Sequence, residues 1–128
     1  MWKLRTYSDQ VYALLRIVSG FMFSFHGVQK LFGVFTVHQP PVGSQLWIGG
    51  VIELFGGLLI MTGFLTRPAA FICSGTMAVA YVQFHWKFAL GSQIFPAVNN
   101  GELAVLYCFV FLYIACRGGV MWCIDKHG

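Results

Sequence analysis

Four apolar stretches, each long enough to cross a membrane as a helix, occupy most of this 128-residue chain. A spanning helix needs roughly 20 apolar residues, because the hydrocarbon core of a bilayer is roughly 30 Å thick. The stretches cover about residues 11–35, 45–65, 68–86 and 100–117, and they lack the strict alternation of strands. The sequence therefore predicts an all-α integral membrane protein, a four-helix transmembrane bundle in which residues 1–128 form a single transmembrane domain.

The composition excludes most other classes of protein. Hydrophobic residues make up 58% of the chain and charged residues 9%, whereas a soluble domain has about 45–50% and about 25%. These charges are too few to cover a globule in water, and a disordered chain would need low hydrophobicity. The net charge of +4 comes from scattered bases without a basic run, so we expect a lipid bilayer, and no nucleic acid, as the partner.

The distribution of lysine and arginine predicts how the helices are oriented. The side that holds both termini and the turn between the second and third stretches carries most of the bases, namely Lys3, Arg5, Arg67, Arg117 and Lys126. The opposite side carries Lys30 and Lys87. Because cytoplasmic segments hold the excess of bases, both termini are predicted to be cytoplasmic. We expect a multi-pass protein of the cell (inner) membrane, with the two longer loops facing outward.

Ionisable residues inside the stretches form the candidate site, since each costs a few kcal/mol to place in a membrane. His26 and Lys30 lie four residues apart on one face of the first helix. At roughly 1.5 Å per residue they lie about 13 and 7 Å below the outer end, and Glu53 of the second helix lies about 12 Å below it. Glu102 falls in the first turns of the fourth helix, which also begins outside. These four side chains are predicted to share one hydrogen-bonded network that binds a substrate or handles protons.

The same charges also allow a structural interpretation. Two bases and two acids could pair and fix the order of the helices, and Glu102 near a helix N-terminus is favoured by the macrodipole. His85, at the outer end of the third helix, could join the site or lie at the membrane interface. Arg16 is expected to reach the inner interface or the carboxylate of Asp9 or Asp125. No metal is expected, because the sequence lacks the H-x-x-x-H and E-x-x-H spacings of metal sites.

Glycines flank Glu53 on the second helix. They lie three or four residues to either side of it, and small residues at this spacing let helices approach closely. Gly27 belongs to a similar stripe of small residues on the first helix. We expect the following glycines to pack helices together and to turn Glu53 into the bundle: Gly49, Gly50, Gly56, Gly57 and Gly27.

Several motifs of the chain resemble the DoxX family of four-helix membrane proteins. They are RIVSGFMFSFHGVQKLFG at 16–33, ELFGGLLIMTGFLTRPAA at 53–70, NNGELAVLYCFVFLYIACRGG at 99–119 and MWCID at 121–125. The resemblance covers nearly the whole chain in the family's order and spacing. By the family pattern, the polar positions fall on His26, Gly27, Lys30, Glu53, Gly56, Gly57, Asn100, Gly101 and Glu102.

The resemblance implies a role in a redox system, because the family is named for a subunit of a thiosulfate-oxidising, quinone-reducing membrane complex. The first hypothesis is a redox-associated membrane subunit that binds a quinone or a small sulfur compound and has no intrinsic cofactor. The second is a non-enzymatic accessory subunit of a larger assembly, built with other membrane proteins or with copies of itself. A small-solute or proton carrier ranks below both, since four helices without a repeat make alternating access difficult. The sequence does not decide whether the protein is an enzyme.

Overall fold

The computed structural model describes residues 2–126, and every regular element in that range is helical. A 3₁₀-helix, Trp2–Tyr7, leads into helix α1, Ser8–Phe32, and helix α2 follows at Gln45–Thr62. The all-helical class predicted from the sequence is confirmed.

The second half of the chain contributes two further long helices. Helix α3, Thr66–Ala80, continues as a π-helix over Tyr81–Trp86. A 3₁₀ turn at Gly91–Ile94 and a single helical turn, α4, Pro96–Asn99, lead into helix α5, Glu102–Arg117. The start of α1 and the end of α5 lie at the same end of the bundle, where Asp9 contacts Arg117, and the opposite end is called the far end below.

Residues in left-handed backbone conformation set helix ends that differ from the predicted ones. Gly33, with φ 69°, closes α1, and its N–H donates to the Gln29 carbonyl. Gly63, with φ 72°, closes α2 in the same way. Asn100, with φ 62°, remains in a turn, so α5 begins at Glu102 and not at residue 100.

In the described part of the chain, two helices are long and apolar enough to cross a membrane: α1 together with its 3₁₀ extension, Lys3–Phe32, and α2. Helices α3 and α5 are shorter, with 15 and 16 residues. Even so, large apolar side chains point outward on all four long helices: Phe21, Phe55, Phe71 and Phe109 are 58–65% exposed. A surface this apolar on every side is typical of a protein that faces lipid.

Glycines bring the backbones of α1 and α2 into direct contact. A Cβ added to Gly20 would lie 2.7 Å from the Gly57 carbonyl oxygen, and one added to Gly27 would lie 2.6 Å from the Gly50 carbonyl oxygen. No side chain fits in these gaps, because real Cβ atoms essentially never come this close to other heavy atoms. This contact holds the inward faces of α1 and α2 in a fixed register, which places their ionisable side chains together.

Aromatic side chains fill the wider gap between α1 and α5. The rings of Phe23 and Phe111 meet edge to face, with centroids 4.7 Å apart. The Tyr12 hydroxyl donates to the Gly118 carbonyl at 2.6 Å. Since edge-to-face pairs hold rings in one geometry, the inward face of α5 is fixed relative to α1.

Arg16 joins three parts of the chain from the interior of the bundle. Its side chain is fully buried, and its guanidinium donates to the carbonyls of Ile60 at 2.7 Å and Met61 at 3.0 Å. It also donates to the carbonyls of Met121 at 2.9 Å and Trp122 at 2.7 Å. Of the two alternatives for Arg16, the inner interface or a carboxylate, the carboxylate was wrong, because its partners are backbone carbonyls. The last carbonyls of a helix lack the partners that carbonyls have in the helix interior. Arg16 donates to two of them in α2, of which Ile60 also accepts from the Gly63 N–H, and it joins them to the C-terminal tail.

The expected carboxylate partners of Arg16 bind other groups instead. Asp125 accepts hydrogen bonds from the backbone N–H groups of Leu65 at 2.8 Å and Thr66 at 2.9 Å, so the tail caps the first turn of α3. Partial desolvation raises the pKa of Asp125, but these hydrogen bonds and the charge of Arg16 outweigh it, and the net pKa lies below its ordinary value. Asp9 forms a salt bridge with Arg117 at 3.0 Å.

Candidate functional site

A cavity of about 670 Å³ lies between the four long helices at the far end of the bundle. Apolar side chains from α1, α2 and α3 form most of its wall, among them Phe23, Ile52 and Met77. Pockets that bind drug-sized molecules have volumes of about 300–1,000 Å³ and similar walls with a few polar groups. The cavity is therefore large enough for a small organic ligand.

Three of the side chains predicted from the sequence meet at this cavity. Lys30 Nζ lies 2.7 Å from Glu53 Oε1, and both residues line the cavity together with His26. Glu53 is 3% exposed, whereas about a third of the Lys30 side chain is accessible. An ion pair that is buried on the carboxylate side costs desolvation free energy, which its Coulomb attraction and hydrogen bond must offset.

The second carboxylate oxygen of Glu53 has no hydrogen-bond partner among residues 2–126, although it is buried. Leaving a buried polar atom unpaired costs about 1–3 kcal/mol, and more when the group is charged. Such atoms are rare in native proteins, and an unaccounted ligand or water is a common explanation. The cavity that Glu53 lines is where such a partner could be accommodated.

Tyr107 is a site residue that the sequence analysis missed. It lines the cavity from α5, its side chain is 5% exposed, and its hydroxyl is buried without a partner in the described part of the chain. Its ring meets the His26 ring edge to face, with centroids 6.3 Å apart. The signal was present, because Ala104, Tyr107, Phe111 and Ile114 repeat every three or four residues and form the buried stripe of α5.

The same stripe explains why Glu102 does not join His26, Lys30 and Glu53 at the cavity. Glu102 is exposed and does not line the cavity. At about 100° per residue, position 102 lies on the opposite side of α5 from the buried stripe. Asn100, in the turn before α5, lines the cavity instead. Glu102 occupies the first position of α5, where the helix dipole favours a carboxylate.

His85 lies on the π-helix that continues α3, and it lines the cavity. It is half-buried, and its ring stacks on Tyr81 with centroids 6.4 Å apart. Of the two alternatives for His85, the structure favours a place at the site. π-Helical turns frequently occur at functional sites.

The rim of the cavity lies mostly between α2 and α3. Ile48 and Val79, on these two helices, line the cavity and are each about half exposed. The side chain of Gln45, at the start of α2, donates to Gln83 of the π-helix and closes one edge of this opening. The cavity is therefore reached through an apolar gap between two helices.

The predicted packing glycines have different surroundings in the structure. A Cβ on Gly50 would lie 2.8 Å from Lys30 Cβ, and a Cβ on Gly56 would collide with the Cys73 sulfur of α3. Gly49 does not pack against a helix, because a Cβ there would meet nothing within 4 Å, and the residue lines the cavity instead. Gly49 points about 100° away from Gly50 around α2, towards the gap between α2 and α3.

The part of the chain that the structure describes, residues 2–126, contains no group of three or more His, Cys, Asp and Glu that could hold a metal ion. The four cysteines are free thiols. The side chains that line the cavity include amine, carboxylate, imidazole and phenol groups.

A family model described as DoxX matches residues 11–86, more than half of the chain. The protein belongs to the DoxX family. The matched range includes His26, Lys30, Glu53 and His85, whereas Tyr107 lies beyond it. The site thus combines residues of the matched segment with residues beyond it, among them Tyr107 of α5.

Two curated proteins resemble this DoxX-family chain over most of its length. An uncharacterised protein of Haemophilus influenzae is 40% identical over 130 residues, which cover 98% of this chain and 96% of that protein. A Bacillus subtilis protein named "Putative oxidoreductase CatD" is 26% identical over 117 residues, which cover 88% of this chain and 82% of that protein. No solved structure matches the chain significantly.

Proposed function

We propose that this DoxX-family protein is a redox-associated membrane subunit whose cavity at the far end binds a quinone. The observation that carries the proposal is the buried carboxylate of Glu53, a residue that lines the cavity of about 670 Å³ and whose Oε2 has no hydrogen-bond partner among residues 2–126. A group serving only as an ion-pair partner would need no cavity beside it. The name of the Bacillus subtilis relative, which describes an oxidoreductase, supports the redox association.

A quinone fits the residues at the cavity better than a small sulfur oxyanion does. The charge of Lys30 is already balanced by Glu53 at 2.7 Å, so little net positive charge remains to hold an anion. The apolar wall suits a ring, while Lys30, His26 and Tyr107 offer donors for carbonyl oxygens. When bound, a quinone supplies a two-electron, two-proton redox couple.

The residues of the chain would hold the ligand and manage protons. Glu53 and His26 supply a carboxylate and an imidazole, which are groups that proteins commonly use for proton transfer. Lys30 balances the charge of Glu53, and its accessible end reaches towards the far end of the bundle. The apolar wall keeps bulk water away from these groups and strengthens their interactions.

We further propose that all four long helices cross the inner membrane with both termini in the cytoplasm, so that the far end faces outward. The apolar outer faces of these helices and the excess of bases at the end with the termini support this orientation. Reporter fusions at the C-terminus and within the loop 39–43 should report opposite sides of the membrane. The same side for both would refute the orientation.

Ligand binding can be tested with a cavity-filling variant of the purified protein in mild detergent. Duroquinone should bind the wild type in equilibrium dialysis, after correction for its partition into protein-free micelles. Gly49→Leu should abolish binding without unfolding the protein, because Gly49 lines the cavity and a Cβ there would meet nothing within 4 Å. Ala78→Leu is the matched control, since it adds the same side chain on an exposed position of α3 outside the cavity. Binding that survives Gly49→Leu would refute the assignment of the site.

A second candidate function is that of a non-enzymatic accessory subunit in a larger membrane assembly. Two observations favour it. Lys30 and Glu53 neutralise each other's charge in the cavity, and the outer surface of the bundle is large and apolar. Gentle purification and mass spectrometry distinguish the two functions. Stoichiometric membrane-protein partners, together with no quinone binding, would establish this candidate over the first.

A further inference from the structure

Glu53 and Tyr107 line the cavity, and each has a buried polar atom without a partner among the described residues. These two atoms differ in the hydrogen bonds that they need. In its ion pair with Lys30, at 2.7 Å, the Glu53 carboxylate only accepts hydrogen bonds, so its Oε2 requires a donor. The Tyr107 hydroxyl can either donate or accept, and it also has no partner among the described residues. A ligand that satisfies both atoms must therefore carry at least one donor.

The two oxidation states of a quinone couple differ in this respect. The oxidised quinone presents carbonyl oxygens, which only accept hydrogen bonds, so it can bind Tyr107 but leaves Glu53 Oε2 unpaired. The reduced hydroquinone has gained two electrons and two protons, and its hydroxyl groups both donate and accept. A site built to bind a hydroxyl group rejects analogues that lack it, because its own buried polar group then remains unpaired.

We infer that the cavity selects the reduced, hydroxyl-bearing form of its ligand, with Glu53 as the residue that discriminates between the two forms. This inference rests on the proposed function and names the form in which the ligand is held. Tighter binding of the reduced form raises the midpoint potential of the bound couple, by about 30 mV for each tenfold difference in affinity. The protein would therefore favour reduction of a bound quinone and retain the hydroquinone.

The inference is tested by anaerobic equilibrium dialysis of duroquinone and durohydroquinone against the detergent-solubilised protein. Both affinities are corrected for partition into protein-free micelles. We expect durohydroquinone to bind at least about tenfold more tightly, since a hydrogen bond to a charged acceptor contributes roughly the free energy of a tenfold change in affinity or more. In Glu53→Gln this ratio should approach one, because an amide offers a donor to the quinone as well as an acceptor to the hydroquinone.

Tyr107→Phe provides a second variant with a different expected result. The Tyr107 hydroxyl can pair with either form, so its loss should weaken both affinities by a similar factor and leave their ratio unchanged. Tyr113→Phe is the matched control: it makes the same substitution on α5 outside the cavity and should change neither affinity.

The outcomes separate this inference from the proposed function. If the wild type binds both forms equally, or duroquinone more tightly, the inference is refuted while quinone binding stands. A ratio that persists in Glu53→Gln also refutes it, because the discrimination then comes from another residue. If the wild type binds neither form, the proposed function fails and the inference fails with it.

Discussion

Replacing Arg16 with methionine tests the account of how the bundle is held together. The buried guanidinium donates to four carbonyls, two at the end of α2 and two in the C-terminal tail. Methionine has a similar length and would fill most of the space, so the loss of these hydrogen bonds dominates the change.

The expected change in the free energy of unfolding follows from what hydrogen bonds contribute in membrane proteins and in folded proteins generally. Hydrogen bonds within membrane proteins average about 0.6 kcal/mol, so four of them give roughly 2.4 kcal/mol as a lower value. Hydrogen bonds to charged groups in folded proteins contribute about 1.5–3 kcal/mol each, but the tail carbonyls can reach water after the substitution. We therefore expect Arg16→Met to lower the free energy of unfolding by about 2–4 kcal/mol.

The assay is SDS-induced unfolding in mixed micelles, followed by far-UV circular dichroism. Arg67→Met is the matched control, because Arg67 also donates to backbone carbonyls, those of Ala115, Cys116 and Arg117, but from an exposed position. It should lose less than about 1 kcal/mol. A loss in Arg16→Met no larger than that in Arg67→Met would refute the reasoning that buried carbonyl contacts stabilise this end of the bundle.

Three further predictions follow from the same structure. Gly27→Ala should lower the unfolding midpoint in SDS, because its Cβ would collide with α2. Gly49→Ala should leave the free energy of unfolding unchanged or raise it by up to about 1 kcal/mol. Equal effects of the two variants would contradict the close contact of α1 and α2. The carboxylate of Asp125 stabilises the fold above its unfolded pKa of about 3.9, and this stabilisation is lost as the pH falls through its lowered folded pKa. Asp125→Asn should therefore make the melting temperature fall less steeply below about pH 4. An unchanged steepness would contradict the capping role of Asp125. Lys30→Met should lower the free energy of unfolding by about 3–5 kcal/mol, because it leaves the buried Glu53 without its ion-pair partner. Adding Glu53→Leu should restore part of this loss. Additive losses in the double variant would show that the two side chains do not interact.

Much of the fold and part of the site follow from simple rules of length and depth. The four long helices were predicted from apolar length, because a helix that crosses a bilayer has few alternatives. His26, Lys30 and Glu53 were placed at matching depth by the rise of a helix, and all three line the cavity. The glycines of α1 and α2 set the register that brings these residues together.

The remaining features depend on the angle of a residue around its helix and on contacts with the backbone, which the depth of a residue along the helix does not specify. Glu102 has a suitable depth but the wrong angle around α5, and only the buried stripe of that helix shows this. Tyr107 carries no charge, so the cost of burying a charged group, which indicated His26, Lys30 and Glu53, did not indicate Tyr107. The partners of Arg16 are backbone carbonyls, which every residue has, so no sequence pattern distinguishes the ones that it contacts.

Photoaffinity labelling with an azido-quinone, followed by peptide mapping, tests most directly whether the cavity at the far end is a ligand site. The account predicts labels on the cavity-lining segments of α2 and α5, at 48–53 and 103–107. Labelling there should be competed by durohydroquinone and lost in Gly49→Leu. Labels confined to the outward apolar faces, or labels in the cavity that Gly49→Leu leaves unchanged, would contradict it.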